Sequence, residues 1–124
     1  MKSYTDLEQS RKLAEKLPIE SADMYYCYGM DIKTKEWSYD NTPTIIDEEN
    51  KLDIGDMPCW SLAALINILP RIDIEKEIKV NCSDDTFDYR VKAYIGDGYI
   101  GDWFDNLVDT CVAMIEKLHN LNLL

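Results

Sequence analysis

The chain alternates between segments of helical and strand periodicity. Thr5-Asp6-Leu7-Glu8 has the form of a capping box, with Thr5 and Glu8 three positions apart. Leu7, Leu13, Ala14 and Leu17 then share one side at 3.6-residue spacing, Arg11, Lys12, Glu15 and Lys16 the other, and Pro18 ends the run. From Met24 to Met30 the period becomes two, which predicts a strand, and Glu36-Trp37-Ser38-Tyr39 is placed to return beside it after Lys33-Thr34-Lys35. Asn41 to Asp56, with Pro43 and several acids, reads as a long connection of the kind that often carries function.

Asp56-Met57-Pro58-Cys59-Trp60-Ser61 opens a second run, apolar nearly all round, that ends before Pro70. This pattern predicts a helix over Pro58–Leu69, and an all-apolar helix belongs inside a fold. Ile78, Val80 and Cys82 suggest a third strand, and Phe87, Tyr89, Val91, Ala93 and Ile95 alternate with polar neighbours in a clearer fourth. Asp97-Gly98 is a favoured hairpin dipeptide, so Tyr99 to Trp103 is expected to pair back as a fifth. A final helix begins near Asp105 and carries Leu107, Val108, Cys111, Met114, Ile115, Leu118 and Leu121 on one stripe. These elements predict an α+β fold over a single domain, residues 1–124. Its small antiparallel sheet of about four or five strands packs with three helices, the Pro58–Leu69 helix most buried.

Charge narrows the class. The chain of 124 residues carries a formal charge of −11. Segments 44–57 and 84–109 hold −4 and −5 of it. Nucleic-acid backbones are bound by clustered Lys and Arg, so direct nucleic-acid binding is not expected. The longest nearly apolar stretch, Met57 to Leu69, falls short of the roughly 20 residues that cross a bilayer, and the charged beginning MKSYTDLEQSRKLAEKL does not read as a secretory signal. A cytoplasmic setting with reduced thiols is the expectation. Cys27, Cys59, Cys82 and Cys111 stand far apart, with a single histidine, His119, so neither a metal site nor a cofactor is expected.

Two stretches, PCWSLAALINILP and GDWFDNLVDTCVAMIEKLHNLNLL, resemble a family of short uncharacterised proteins of Bacteroides-type gut bacteria and their phages and mobile elements. Pro58, Trp60, Ser61 and Leu62 match its Pro-x-Trp-Ser-Leu helix, and Asp105, Asn106, Val108 and Asp109 its C-terminal helix after an Asp/Asn loop. Where similar sequences read Gly-Asp-Asn-Pro, this one has Phe104-Asp105-Asn106-Leu107. The resemblance implies a phage-related setting and no particular chemistry.

Cys59, read as lying in the first turn of a helix, would have its thiolate favoured there but has no evident base. The preferred reading is a small, non-enzymatic, acidic interaction protein, in one version a decoy whose carboxylates occupy the groove of a basic protein. Its candidate contact residues are Trp37, an aromatic among polar neighbours, and Asp97, Asp102 and Asp105. The alternative is a small metal-assisted hydrolase using the Asp97, Asp102 and Asp105 cluster.

Overall fold

The computed structural model describes residues 2–69, 74–81, 86–95 and 98–124. The fold is α+β, and among the described residues the strand pairing is antiparallel and the expected single sheet is divided into three small ones. The chain divides into two compact units: Tyr4–Ala64, and Met1–Ser3 with Leu65–Leu124. The division falls inside a helix and not in a linker.

In the Tyr4–Ala64 unit, helix α1 spans Leu7–Ala14. Its cap lies one residue later than the sequence suggested: Asp6 accepts from the Gln9 amide at 2.8 Å, and the Gln9 side chain accepts from the Asp6 amide at 3.1 Å. Thr5 is drawn inward instead and is fully buried. Its hydroxyl lies 2.8 Å from that of Ser10 and accepts from the Trp60 amide at 3.1 Å. A short 3-10 turn, Ile19–Ser21, leads into β1 (Met24–Tyr26), then β2 (Tyr28–Met30), β3 (Trp37–Tyr39), β4 (Thr44–Ile45) and β5 (Met57–Cys59).

The strand read from Met24 to Met30 is therefore two. β1 is the centre of a sheet ordered β4-β1-β5, whereas β2 pairs with β3 in a separate ladder. The break is at Cys27, whose carbonyl accepts from Asp40 at 2.9 Å, and Tyr25 and Tyr26 are consecutively buried where strict alternation was expected. The long connection is also interrupted, because Thr44 and Ile45 pair with Tyr25 and Met24.

The expected Pro58–Leu69 helix is corrected in both extent and burial. Pro58 and Cys59 belong to β5, and the helix, α2, spans Leu62–Ile68. A short run of buried apolar residues satisfies a central strand as well as a helix, and periodicity does not separate the two. Ser61 supplies the helix start by accepting from the Ala64 amide at 3.2 Å, and its own amide and hydroxyl donate to the two carboxylate oxygens of Asp23. Trp60 is fully buried, its indole N–H donating to Ser21 at 3.0 Å. The Trp60-Ser61 pair thus has a structural role. Within α2, Ala64 and Leu65 are buried while Leu62, Ile66 and Ile68 are partly covered. The most continuously buried helix is the last one.

The other unit is a sheet ordered β6-β7-β8, formed by Ile74–Asn81, Thr86–Ile95 and Gly98–Ile100, with α3 (Leu107–Asn120) packed on β7. Tyr89, Val91 and Ala93 of β7 are buried, as are Val108, Cys111, Val112, Met114, Ile115 and Leu118 of α3. Thr110 is buried as well and donates to the Tyr89 carbonyl at 3.2 Å. Asn106 caps α3 by accepting from Asp109 at 2.8 Å. At its far end Asn122 adopts φ 58°, the left-handed conformation that closes many helices.

The expected strand Tyr99 to Trp103 stops at Ile100. Gly98 already pairs with Ile95 and so lies in β8, while the Asp97 half of the predicted turn and Cys82 lie outside the described residues. Gly101 then takes φ +149°, and a Cβ there would collide with the Val91 carbonyl. The chain rejoins β7 at Phe104, which exchanges both backbone hydrogen bonds with Tyr89, at 2.6 and 2.9 Å. No helix among the described residues is long and apolar enough to cross a membrane.

Candidate functional site: an open aromatic hairpin

The β2–β3 hairpin forms because its cross-strand pairs are large and its turn is self-capped. Tyr28 faces Tyr39, Gly29 faces Ser38, and Met30 faces Trp37. Directly opposed residues share a face, so Tyr28, Met30, Trp37 and Tyr39 stand together on one side and Gly29 and Ser38 on the other. In the turn, the Asp31 carboxylate accepts from Lys33 at 2.8 Å and Thr34 at 3.3 Å, and Lys35 completes the reversal with φ 57°.

The aromatic face is fixed from beneath. Tyr28 stacks on Trp37, with ring centres 5.4 Å apart at 27°, and meets Tyr39 at 4.7 Å and 45°. Tyr28 also lies near the Asp53–Asp56 turn, where a Cβ added to Gly55 would be 3.6 Å from the Tyr28 ring. Gly55 has φ +93°, which disfavours any side chain at that position. Asp56 ties the pieces together by accepting from the Tyr28 amide at 2.9 Å and from the Asp53 amide at 2.9 Å.

This face remains open. Trp37 is 58% exposed, Met30 48% and Tyr28 39%. The Tyr4–Ala64 unit holds thirteen Asp and Glu against six Lys and Arg, and nine of those acids against three lysines fall within residues 21–57. Among the described residues no cation lies over Tyr28, Trp37 or Tyr39. An exposed, preassembled aromatic surface in an acidic unit is suited to receiving a cationic, partly apolar group.

The other sequence candidates have different situations. Asp102 is already paired with Lys117 at 2.5 Å, and Asp105 accepts from the Asn106 side chain at 3.0 Å. Asp109 is bonded to Lys2 at 2.8 Å and receives Asn106 as well. Asp97 lies outside the described residues. Among the described residues, no three His, Cys, Asp or Glu side chains converge as a metal centre would need.

Cys59 belongs to β5 and not to a helix start, so it lacks the dipole that would favour a thiolate. Its sulfur contacts the Thr5 hydroxyl at 3.5 Å and carbonyl at 3.4 Å, and burial pushes the thiol above its ordinary pKa. Tyr26 donates to the same carbonyl at 2.7 Å and is likewise raised by burial. Cys27 is partly exposed, but desolvation and then the nearby Asp56, Asp40 and Asp53 raise it too. The Thr5-Ser10-Cys59-Tyr26 cluster is a satisfied buried network.

Sequence reasoning singled out Trp37 but missed Tyr28, Met30 and Tyr39 as its companions. The signal was available in the alternation of both strands, since pairing Met30 with Trp37 puts all four side chains on one face. Compared with protein-family models, with curated proteins and with solved structures, the chain matches none.

Proposed function

We propose that the protein is a small non-enzymatic binding module that engages a basic protein partner through the Tyr28-Met30-Trp37-Tyr39 face of its hairpin. The observation that carries this reading is the 58% exposure of Trp37 within a face already braced by Tyr28, Gly55 and Asp56. Exposed aromatics held rigid lose little side-chain entropy on contact, and Trp and Tyr dominate the energetics of protein interfaces. The surplus of carboxylates around residues 21–57 supplies long-range attraction for a basic surface. In the mobile-element setting suggested by the sequence resemblance, such a module serves as an acidic decoy for a basic host protein.

One feature distinguishes this reading from simple acidity. Contact through a defined face requires Trp37, whereas diffuse attraction does not. Binding is therefore measured by calorimetry with a mixed Lys/Arg basic peptide, on wild type and on Trp37→Ala. The expectation is a loss of about tenfold or more in affinity, the scale of an interface hot spot. Unchanged affinity in Trp37→Ala would remove the hairpin as the contact surface. Salt should weaken the wild-type complex, because the Debye length falls from about 10 Å at 0.1 M to about 3 Å at 1 M.

A further inference from the structure

We infer that the group received by Trp37 is an arginine side chain of the partner, selected over lysine. This inference rests on the proposed binding face and specifies its ligand. One side of the Trp37 indole is covered by Tyr28, 5.4 Å away and tilted by 27°. The residue is 58% exposed, which leaves more than half of its surface open to a partner group. Tyr28 lies too close beneath it for a cation to enter between the two rings, so the site is an outer surface and not a cage.

That geometry decides between the two biological cations. An open platform does not strip water from its ligand, and an ammonium is a compact, strongly hydrated charge. A guanidinium is planar and weakly hydrated, so it lies flat on an indole while its edge N–H groups remain free for carboxylates. The excess of acids over lysines in residues 21–57 favours a cation at long range, although Lys33 and Lys35 in the hairpin turn oppose it locally.

The same chain shows the arrangement carried out internally. The Arg90 guanidinium lies 4.4 Å over the Trp103 ring and 5.3 Å from the centre of Tyr99, while the Lys92 ammonium lies 4.5 Å over Tyr99, so here the indole takes the guanidinium and the phenol the nearer ammonium. Trp103, with 39% exposure, thus already has an arginine, and Trp37 has none from the described residues.

The test uses two peptides of equal length and charge, one with arginine and one with lysine at every basic position. Each is titrated into the full chain at fixed salt, with binding read by calorimetry. An arginine preference of about 3- to 10-fold is expected, within the range of exposed to partly desolvated cation–π contacts. In Trp37→Leu, which keeps an apolar side chain but removes the ring, the two affinities should converge, while Trp37→Phe should retain part of the preference. Equal affinities in wild type, both reduced in Trp37→Leu, would overturn the arginine inference and leave the binding face standing. Equal affinities unchanged by Trp37→Leu would overturn both. A response to a neutral oligosaccharide, or concentration-dependent self-association displaced by neither peptide, would also overturn the arginine assignment. Circular dichroism and the Tyr28 amide resonance verify that each variant retains the hairpin.

Discussion

On the exposed side of the β6-β7-β8 sheet, Arg90 stacks over Trp103 and Tyr99, and Lys92 lies 4.5 Å from the centre of Tyr99. On the β2–β3 hairpin, by contrast, Tyr28 stacks on Trp37, and the outermost ring has no such partner among the described residues. Both are aromatic surfaces on antiparallel ladders. One uses cations of β7 to occupy rings of β8 and the segment after it, and the other stacks a second aromatic on a ring that stays 58% exposed. The charge follows the same division: the unit with the occupied rings has eleven acids against seven cations, the unit with the open rings thirteen against six. Ring exposure alone therefore does not mark a binding surface; an exposed ring lacking an internal cation in an acidic unit is more informative.

The sharpest way to break the comparison is through the glycines that shape the two surfaces. Gly101 has φ +149° and no room for a Cβ beside the Val91 carbonyl, and it sets the step that carries Trp103 towards Arg90. Gly101→Ala is expected to cost about 2–4 kcal/mol, combining backbone strain with a steric shift. Gly29 lies on the back of the hairpin, where an added Cβ meets nothing within 4 Å. Gly29→Ala should change stability by about 0.5 kcal/mol or less, in the stabilising direction. Urea denaturation of the two variants measures the contrast, and similar losses at both positions would show that the hairpin is as tightly constrained as the β7–β8 step.

A smaller effect is expected where the hairpin is tied down. Asp56 accepts from the amides of Tyr28 and Asp53, so Asp56→Ala leaves two donors to solvent and loosens the support of Tyr28. About 1–2 kcal/mol is expected, given the partial exposure of the site. The loss should appear as faster amide exchange at Tyr28 and weaker binding of the basic peptide. Loss of stability without either change would detach Asp56 from the aromatic face.

Much of this contrast was legible in the sequence, and the exceptions have identifiable causes. Alternation in Phe87 to Ile95 and the one-sided stripe of the last helix gave β7 and α3, because each has a single buried face. The Glu36–Tyr39 return beside Tyr28 to Met30 was likewise readable. The strand at Met57–Cys59 was not, since Met57 to Leu69 is apolar on nearly every side and carries no clear period. Thr5 and Asp6 are both acceptable caps, and the choice was made by Trp60 and Ser10, which draw the Thr5 hydroxyl inward. Ser61 finds Asp23 across 38 positions, a pairing that no local pattern encodes. Similarly, Trp37 stood out by composition, but whether its ring was open or occupied depended on tertiary neighbours.

Removing the internal cation should make the two surfaces more alike. Arg90→Gln is expected to cost about 0.5–1 kcal/mol, the scale of an exposed cation–π contact, and to uncover Trp103. Collisional quenching reads the change directly, because Trp60 is fully buried and contributes little. In wild type, cesium quenching relative to iodide, each scaled to its quenching of a free tryptophan amide, should be enhanced, since residues 21–57 around Trp37 in sequence carry nine acids against three lysines. In Arg90→Gln the quenched fraction should rise, and in Trp37→Phe the cesium advantage should fall. If the scaled iodide quenching equals the scaled cesium quenching in wild type, the acids do not dominate the potential at Trp37.

The smallest effect concerns how each unit settles its carboxylates. Asp102 is paired with the Lys117 ammonium, so part of its charge is cancelled by a cation. Asp47 is held by backbone donors instead: it accepts from the amides of Glu49 at 2.8 Å and Asn50 at 2.7 Å. The Asn50 amide, followed by that of Glu49, lowers its pKa below the ordinary carboxylate value, against a smaller opposing effect of desolvation. A depressed folded-state pKa contributes stability that is present above the unfolded value, about 3.9, and is lost as pH falls through the lower folded value. The Asp47–Asn50 turn should therefore keep its amide protection at pH 5 and lose it only in stronger acid. Since amides satisfy the carboxylate without cancelling its charge, Asp47 still contributes to the negative field of its unit at neutral pH, unlike the paired Asp102. Carbon-detected NMR titration of Asp47 is expected to give a midpoint below that of a free aspartate, and Asp47→Asn should weaken binding of the basic peptide slightly while leaving the arginine preference intact. A midpoint at or above the free value would mean that the turn is not holding the ionised carboxylate, and this source of the acidic unit's charge would have been misread.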